Sequence, residues 1–293
     1  MSLAEAARTK RSTITRRLRG PARRNPAGIG KRPGPPPRCL RAATAVAWLL
    51  ATFAQALAGE LVTVRIGTMP VVLSAPHGGE QPLPNVPVRQ RTDLPKFQIV
   101  RDERTAELTE KIAATLADEL GHVPYLVILR VERKYVDVNR PADHAYECEA
   151  AKAVYDAYHA ALRKHCDDIR AKWKHGLLID VHGQTLEEAA IFRGTLNLET
   201  VAALRRRVAP DVYLHLDRAL AKQGLRVLPP LTERETRFTG GHIIRTYGSQ
   251  HPDGIDAIQW EFGSELRQKE VLEHTARSAG VALAEFVRAY YLK

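Results

Sequence analysis

Cysteine is scarce in this chain: three residues in 293, one of them, Cys39, inside a basic N-terminal stretch. The two that remain, Cys148 and Cys166, are too few for the disulfide framework of a small secreted scaffold, and neither has a Cys or His neighbour at zinc-finger spacing. Both fall in a segment that reads as helix. Eighteen residues of helix span roughly 27 Å, whereas a disulfide needs Cα atoms within about 7 Å, so two free thiols are expected. Net charge is equally scarce where it would matter. The chain carries +11, but twelve Lys and Arg residues between Arg8 and Arg41, opposed by Glu5 alone, account for all of it. Residues 42–293 are neutral overall, so the basic pI does not support a nucleic-acid-binding domain. Internal repeats are absent, and one long apolar run stands out, from Ala42 to Ala58.

That run, AATAVAWLLATFAQALA, is uncharged, follows a basic flank and ends in Ala56-Leu57-Ala58. The pattern is that of a secretory signal cleaved after Ala58. The alternative is a short membrane anchor, since seventeen residues lie at the lower edge of what spans a bilayer. Arg16-Arg17 stands too far upstream of the apolar core to make a good twin-arginine signal. The chain therefore divides into a basic, Pro- and Gly-rich tail (1–41), a signal core (42–58) and a catalytic body (59–293), and the body is expected outside the cytoplasm, periplasmic or secreted.

From Gly59 onward, strand and helix patterns alternate. Leu61–Ile66, Val71–Ser74, Tyr125–Leu129, Leu177–Val181, Ile191-Phe192, His242–Thr246 and Ile255–Trp260 read as strands. Asp102–Leu120, His144–Trp173, Glu199–Arg207, Asp211–Lys222 and Lys269–Tyr291 read as helices. The alternation predicts a three-layer α/β/α sandwich with a mixed, mainly parallel sheet.

Three chemically capable residues stand just after predicted strands: His77 after VVLSAP, His182 after LLIDV, and Glu261 at the end of IDAIQW. In open α/β sheets, sites form beyond the carboxyl ends of strands, so the three can converge. His77-Gly78-Gly79-Glu80 is an HxxE motif whose imidazole and carboxylate can share one ion. Two imidazoles and a carboxylate form a known catalytic zinc set with a fourth position for water. A further Glu can then move protons. A second HxxE, His144 to Glu147, has no strand before it and reads as a solvated helix face. Asp180 either orients His182 or pairs with an Arg. Asn139-Arg140, before a Pro on a polar loop, suits capture of a carboxylate or is simply a solvated basic loop. Arg245 and Tyr247 alternate to one face of the predicted His242–Thr246 strand, in contact with substrate or at a sheet edge.

Six segments, SAPHGG at 74–79, RDERT with Asp102 and Thr105, RKYVDVNR at 133–140, LLIDVHGQ at 177–184, TGGHIIRTYG at 239–248 and AIQWEFGSELR at 257–267, resemble the N-formylglutamate amidohydrolase family in their order. That family is similar to the zinc carboxypeptidases in fold and in its HxxE…H ligand order. The resemblance implies one zinc per chain on His77, Glu80 and His182, with Glu261 as general base and Arg133 polarising the scissile carbonyl. It also implies Asn139-Arg140 as the carboxylate anchor. Many members carry another residue where Glu80 stands, which makes Asp102 the alternative third ligand. The implied substrate is N-formylglutamate or another N-acyl amino acid, with no nucleic-acid partner. An exported zinc carboxypeptidase acting on peptides and a non-catalytic exported binding protein of the same fold are the alternatives.

Overall fold

The computed structural model describes residues 60–230 and 233–292. The basic tail and the 42–58 run lie outside the described residues. Within them, seven strands form one sheet: β1 (Val62–Arg65), β2 (Val71–Ala75), β3 (Tyr125–Leu129), β4 (Leu177–Gln184), β5 (Ala190–Gly194), β6 (Arg226–Leu228) and β7 (Asp256–Gly263). Their spatial order is β1-β3-β2-β4-β7-β5-β6. The central strands β3, β2, β4 and β7 run parallel, while β1 on β3 and β5 on β7 are antiparallel. The expected three-layer sandwich with a mixed sheet is what forms.

The period-two alternation of the strands sorts their side chains into two cores. Leu73, Ile179, Ile258 and Trp260 face a layer built from α1 (Thr105–Leu120) and the closing helix α7 (Leu272–Tyr290). Val72, Leu178 and Ala257 face the opposite layer, built mainly from α3 (Glu149–Trp173). In α1, Leu108, Ile112 and Leu116 recur at four-residue spacing and are fully buried, and Gly121 ends the helix in a left-handed conformation. Helices α4 (Ala202–Arg207) and α5 (Leu214–Lys222) complete the first layer's edge.

Three expectations change. The segment read as one helix from His144 to Trp173 is a short α2 (Ala142–Ala145), an extended break at Tyr146 and Cys148, and then α3. Glu147, in that break, accepts the backbone N–H groups of Gln90 and Arg91 at 2.8 and 2.9 Å, so it pins a loop instead of decorating a helix face. Cys148 and Cys166 remain free thiols. The predicted strand at His242–Thr246 is a helix, α6 (His242–Tyr247). Its Ile243-Ile244 pair is β-branched, but the extended Gly241 and the side chain of Asn139, which accepts Ile243 N–H at 2.9 Å, start a helical turn there.

Candidate active site

His77 leaves β2 on a turn that only glycine permits. A Cβ on Gly78 would lie 2.3 Å from the Ala106 backbone nitrogen, so the chain packs directly on the start of α1. Asp102, three residues before α1, is tied to the same turn by its N–H to the His77 carbonyl at 3.0 Å. His182 lies near the end of β4, where the register places it opposite Glu261 of β7.

The four side chains converge, and all are buried. Nδ1 of His77 lies 3.1 Å from Nδ1 of His182. Oδ2 of Asp102 lies 3.3 Å from the first and 3.4 Å from the second. Each imidazole has its other nitrogen engaged: His77 Nε2 with Asp137 Oδ1 and His182 Nε2 with Asp180 Oδ2, both at 2.8 Å. A ring that donates from Nε2 to a carboxylate presents an Nδ1 lone pair, the state a metal ligand needs. The three donor atoms form a near-equilateral triangle. Tetrahedral ligands at zinc, about 2.0–2.1 Å from the ion, are about 3.3 Å apart, so the donor chemistry and spacing both fit a divalent cation. Asp180 shares its face of β4 with His182 and also accepts the Ser74 hydroxyl at 2.5 Å.

The electrostatics follow from this crowding. Burial pushes the Asp102 carboxyl upward, but His77, His182 and Arg133 outweigh it and hold the group well below the usual carboxylate range. Asp137 is held low by His77, Arg133 and Arg140 against the same burial penalty. Burial opposes the charged form of His182, yet Asp180, Asp102 and Glu261 raise it well above an ordinary histidine. Glu261 goes the other way: burial, with Asp102 and Asp180 nearby, pushes it up to about 8 despite His182 and Arg133. A carboxyl poised near neutrality can both accept and deliver a proton. Gln259 Nε2 donates to its Oε1 at 2.8 Å and holds its orientation.

Arg133 donates from Nε to Asp137 at 2.9 Å and faces Asp102 at 3.6 Å, so it reaches the cluster. Arg140 lines the same cavity, of about 710 Å³, with its guanidinium on the carbonyls of Asn139 and Lys96 at 3.0 and 2.8 Å. Asn139 also lines it, but its amide oxygen is spent on α6 and its amide nitrogen lies 3.4 Å from His182 Nε2.

Glu80, Arg245 and Tyr247 are not brought together with these residues. Glu80 is corrected: its side chain is 69% exposed and pairs with Arg101 at 2.5 Å. The reason is local. Gln81 N–H donates to Arg130 O and Gln81 O accepts Glu132 N–H, so the chain after Gly79 runs extended beside the end of β3 and turns Glu80 to solvent. Asp102 is the carboxylate that lies beside the two imidazoles. Arg245 is exposed and Tyr247 is buried against His159, its hydroxyl 2.9 Å from Nδ1, because two residues apart on a helix do not share a face. Asp137 and Gln259 were not singled out from the sequence. The one signal for Asp137 is a charged residue alternating with Val136 and Val138, both fully buried.

Comparison with known proteins bears on the family resemblance and the fold. A family model described as N-formylglutamate amidohydrolase matches residues 144–266. No curated protein matches the chain. Among solved structures, an N-formylglutamate amidohydrolase from Ralstonia eutropha JMP134 is similar at a TM-score of 0.58 and 15% identity, covering 78% of this chain and 98% of its own. A gene product from Agrobacterium tumefaciens is similar at 0.51 and 16%, covering 80% of this chain and 96% of its own. At such identities the structures speak to the fold alone. Ordered motifs, family match and fold together establish that this chain resembles the N-formylglutamate amidohydrolases, a family of amide-hydrolysing enzymes.

Proposed function

We propose that the protein is a zinc-dependent amidohydrolase that cleaves an amide next to a carboxylate, on an N-acyl amino acid of the N-formylglutamate type. The observation that carries this reading is the triangle of His77 Nδ1, His182 Nδ1 and Asp102 Oδ2, beside a buried Glu261 whose carboxyl is pushed up to about 8. A zinc ion held by the three would supply Lewis acidity toward the amide carbonyl. Glu261 takes a proton from the attacking water as its oxygen bonds to the carbonyl carbon. It then delivers that proton to the nitrogen as the C–N bond breaks, leaving an acid and a free amine. Arg133, already on the Asp102 side of the cluster, stabilises charge developing on the carbonyl oxygen. Arg140, whose guanidinium bonds the Asn139 and Lys96 carbonyls and lies 4.0 Å from Asp137, receives the carboxylate by exchanging the neutral acceptors for a charged one.

Arg140 also supplies the test. We expect wild type to hydrolyse a carboxylate substrate far better than its amidated form, since only the carboxylate forms a charge-assisted, two-pronged pair with the guanidinium. Arg140→Lys should lose much of that discrimination, because an ammonium lacks the guanidinium fork, and Arg140→Ala nearly all. Equal kcat/KM ratios for acid and amide in all three proteins would refute the assignment. The reading further takes residues 42–58 as an export signal. Mass spectrometry of protein from an export-competent host should find a mature start after Ala58, and a full-length cytoplasmic form as the main species would count against it.

A further inference from the structure

The cavity has two chemically different ends, and the sheet sets their order. On the β3 side stand Lys96, Arg101, Arg133 and Arg140. The imidazoles come next, from β2 and β4. Beyond them the register runs His182, then Glu261, then Phe192, each the direct cross-strand partner of the last. Direct partners hold their side chains about 5 Å apart on one face, so Phe192 adjoins Glu261 on the side away from the cations.

Phe238 packs against Phe192 with ring centroids 4.9 Å apart and planes tilted by 48°, and it lines the cavity. Its backbone is left-handed, φ 49°, a conformation costly for an aromatic residue. The strand beneath holds it there. Leu196 N–H bonds Thr239 O at 2.7 Å, and Gly194 passes so close that a Cβ would meet Phe238 O at 2.3 Å. Leu186 faces the same end. It is 50% exposed, yet its backbone is fixed by an N–H to Gln184 Oε1 at 2.6 Å. Leu186 and Phe238 are the large apolar side chains at this end, among Gln184, Thr185, Thr236 and Thr239; the nearest cation, Arg267, is tied down on the backbone carbonyls of Phe262 and Gln184.

We propose that this end is a subsite for an apolar N-acyl substituent larger than a formyl group, with Phe238 and Leu186 as specificity-determining residues. The inference rests on the amidohydrolase reading above and deepens it. With the carboxylate at the cationic end and the scissile amide over the imidazoles, the acyl substituent extends past Glu261 toward Phe238. A formyl group ends at the amide and leaves both apolar side chains uncovered. An aliphatic chain or a phenyl ring covers them.

The test compares N-formyl, N-acetyl, N-octanoyl and N-benzoyl derivatives of one amino acid. Turnover is measured on wild type, Phe238→Ala and Leu186→Ala, and binding on the Glu261→Gln form of each by calorimetry. Wild type should favour the larger acyl groups over formyl by about tenfold or more in kcat/KM, and both substitutions should remove most of that preference while leaving the formyl substrate within about threefold. Leu186→Ala guards against a Phe238 variant that fails to fold. A formyl optimum in wild type, or an acyl preference unchanged in both variants, overturns the subsite. If no derivative is hydrolysed, the amidohydrolase reading fails, and binding decides the subsite alone. Tighter binding of the larger acyl groups that is lost in the variants supports it; equal affinities overturn it.

Discussion

The Nδ1 atoms of His77 and His182 face each other at 3.1 Å, although 105 residues of chain separate them. Two nitrogens at that distance cannot both carry hydrogens directed at each other. Asp102 Oδ2 closes the triangle, so the three potential donor atoms lie close enough to share one ion.

The first prediction concerns which carboxylate completes that triangle. Asp102→Ala, His77→Ala and His182→Ala should each lose stoichiometric divalent metal, because two donors are too few to retain it. Glu80→Ala should keep a full complement, since the Glu80 side chain is solvent-exposed and paired with Arg101. Metal analysis after dialysis decides it; the reverse pattern would restore Glu80 as the ligand.

The second concerns the carboxylates behind the imidazoles. Asp137→Asn and Asp180→Asn should fold and still bind metal, but with affinity lowered about 10- to 100-fold each, as is usual when a ligand's orienting partner is neutralised. Competition against a chromophoric chelator reads the constant. Unchanged affinity in both variants would show that the two aspartates only fill space.

Glu261→Gln is the third. The amide keeps the shape and the Gln259 contact but cannot take a proton, so metal content should be normal and kcat should fall by about 10² to 10⁴. Near-normal turnover would move the base to another group.

The fourth is a stability effect away from the cluster. Burial, aided by His242, pushes His159 down to about 4 from an ordinary value of 6.5, while its ring bonds Tyr247 OH and Val138 O. Between those two values the unfolded chain binds a proton that the folded chain does not, so stability is lost as the pH falls through this window. In urea titrations the wild-type midpoint should drop between pH 6.5 and 4 more steeply than that of His159→Gln. Parallel pH profiles would mean that His159 titrates normally in the fold.

Much of this site was legible in the sequence because of where chemistry sits relative to apolar runs. His77 follows a buried strand and His182 and Glu261 lie near the carboxyl ends of two more, and strand ends are where an α/β sheet opens. Asp102 was legible only as an alternative to Glu80. Motif spacing favours the HxxE carboxylate, and nothing local reveals that Gln81 is stitched to β3 and turns Glu80 outward. Helix α6 was misread because Ile243-Ile244 carries strand propensity, while the residue that starts the helix, Asn139, lies 104 positions away. Strand β6 has three residues, too few to show a period.

The parallel pairing of β2, β4 and β7 also has a temporal meaning. β2 and β4 can pair only once residues 71 to 180 are present, and β7 can join β4 only once the chain reaches Gly263; such long-range pairings form slowly. A nascent chain that has exposed His77 and His182 still lacks Glu261 and the strand that closes one edge of β4. Any ion captured by the finished cluster then stabilises the folded state over the unfolded chain, by about 2.7 kcal/mol at a hundred times its dissociation constant. On the proposed metal site, metal supply would in this way set how much of the chain persists folded.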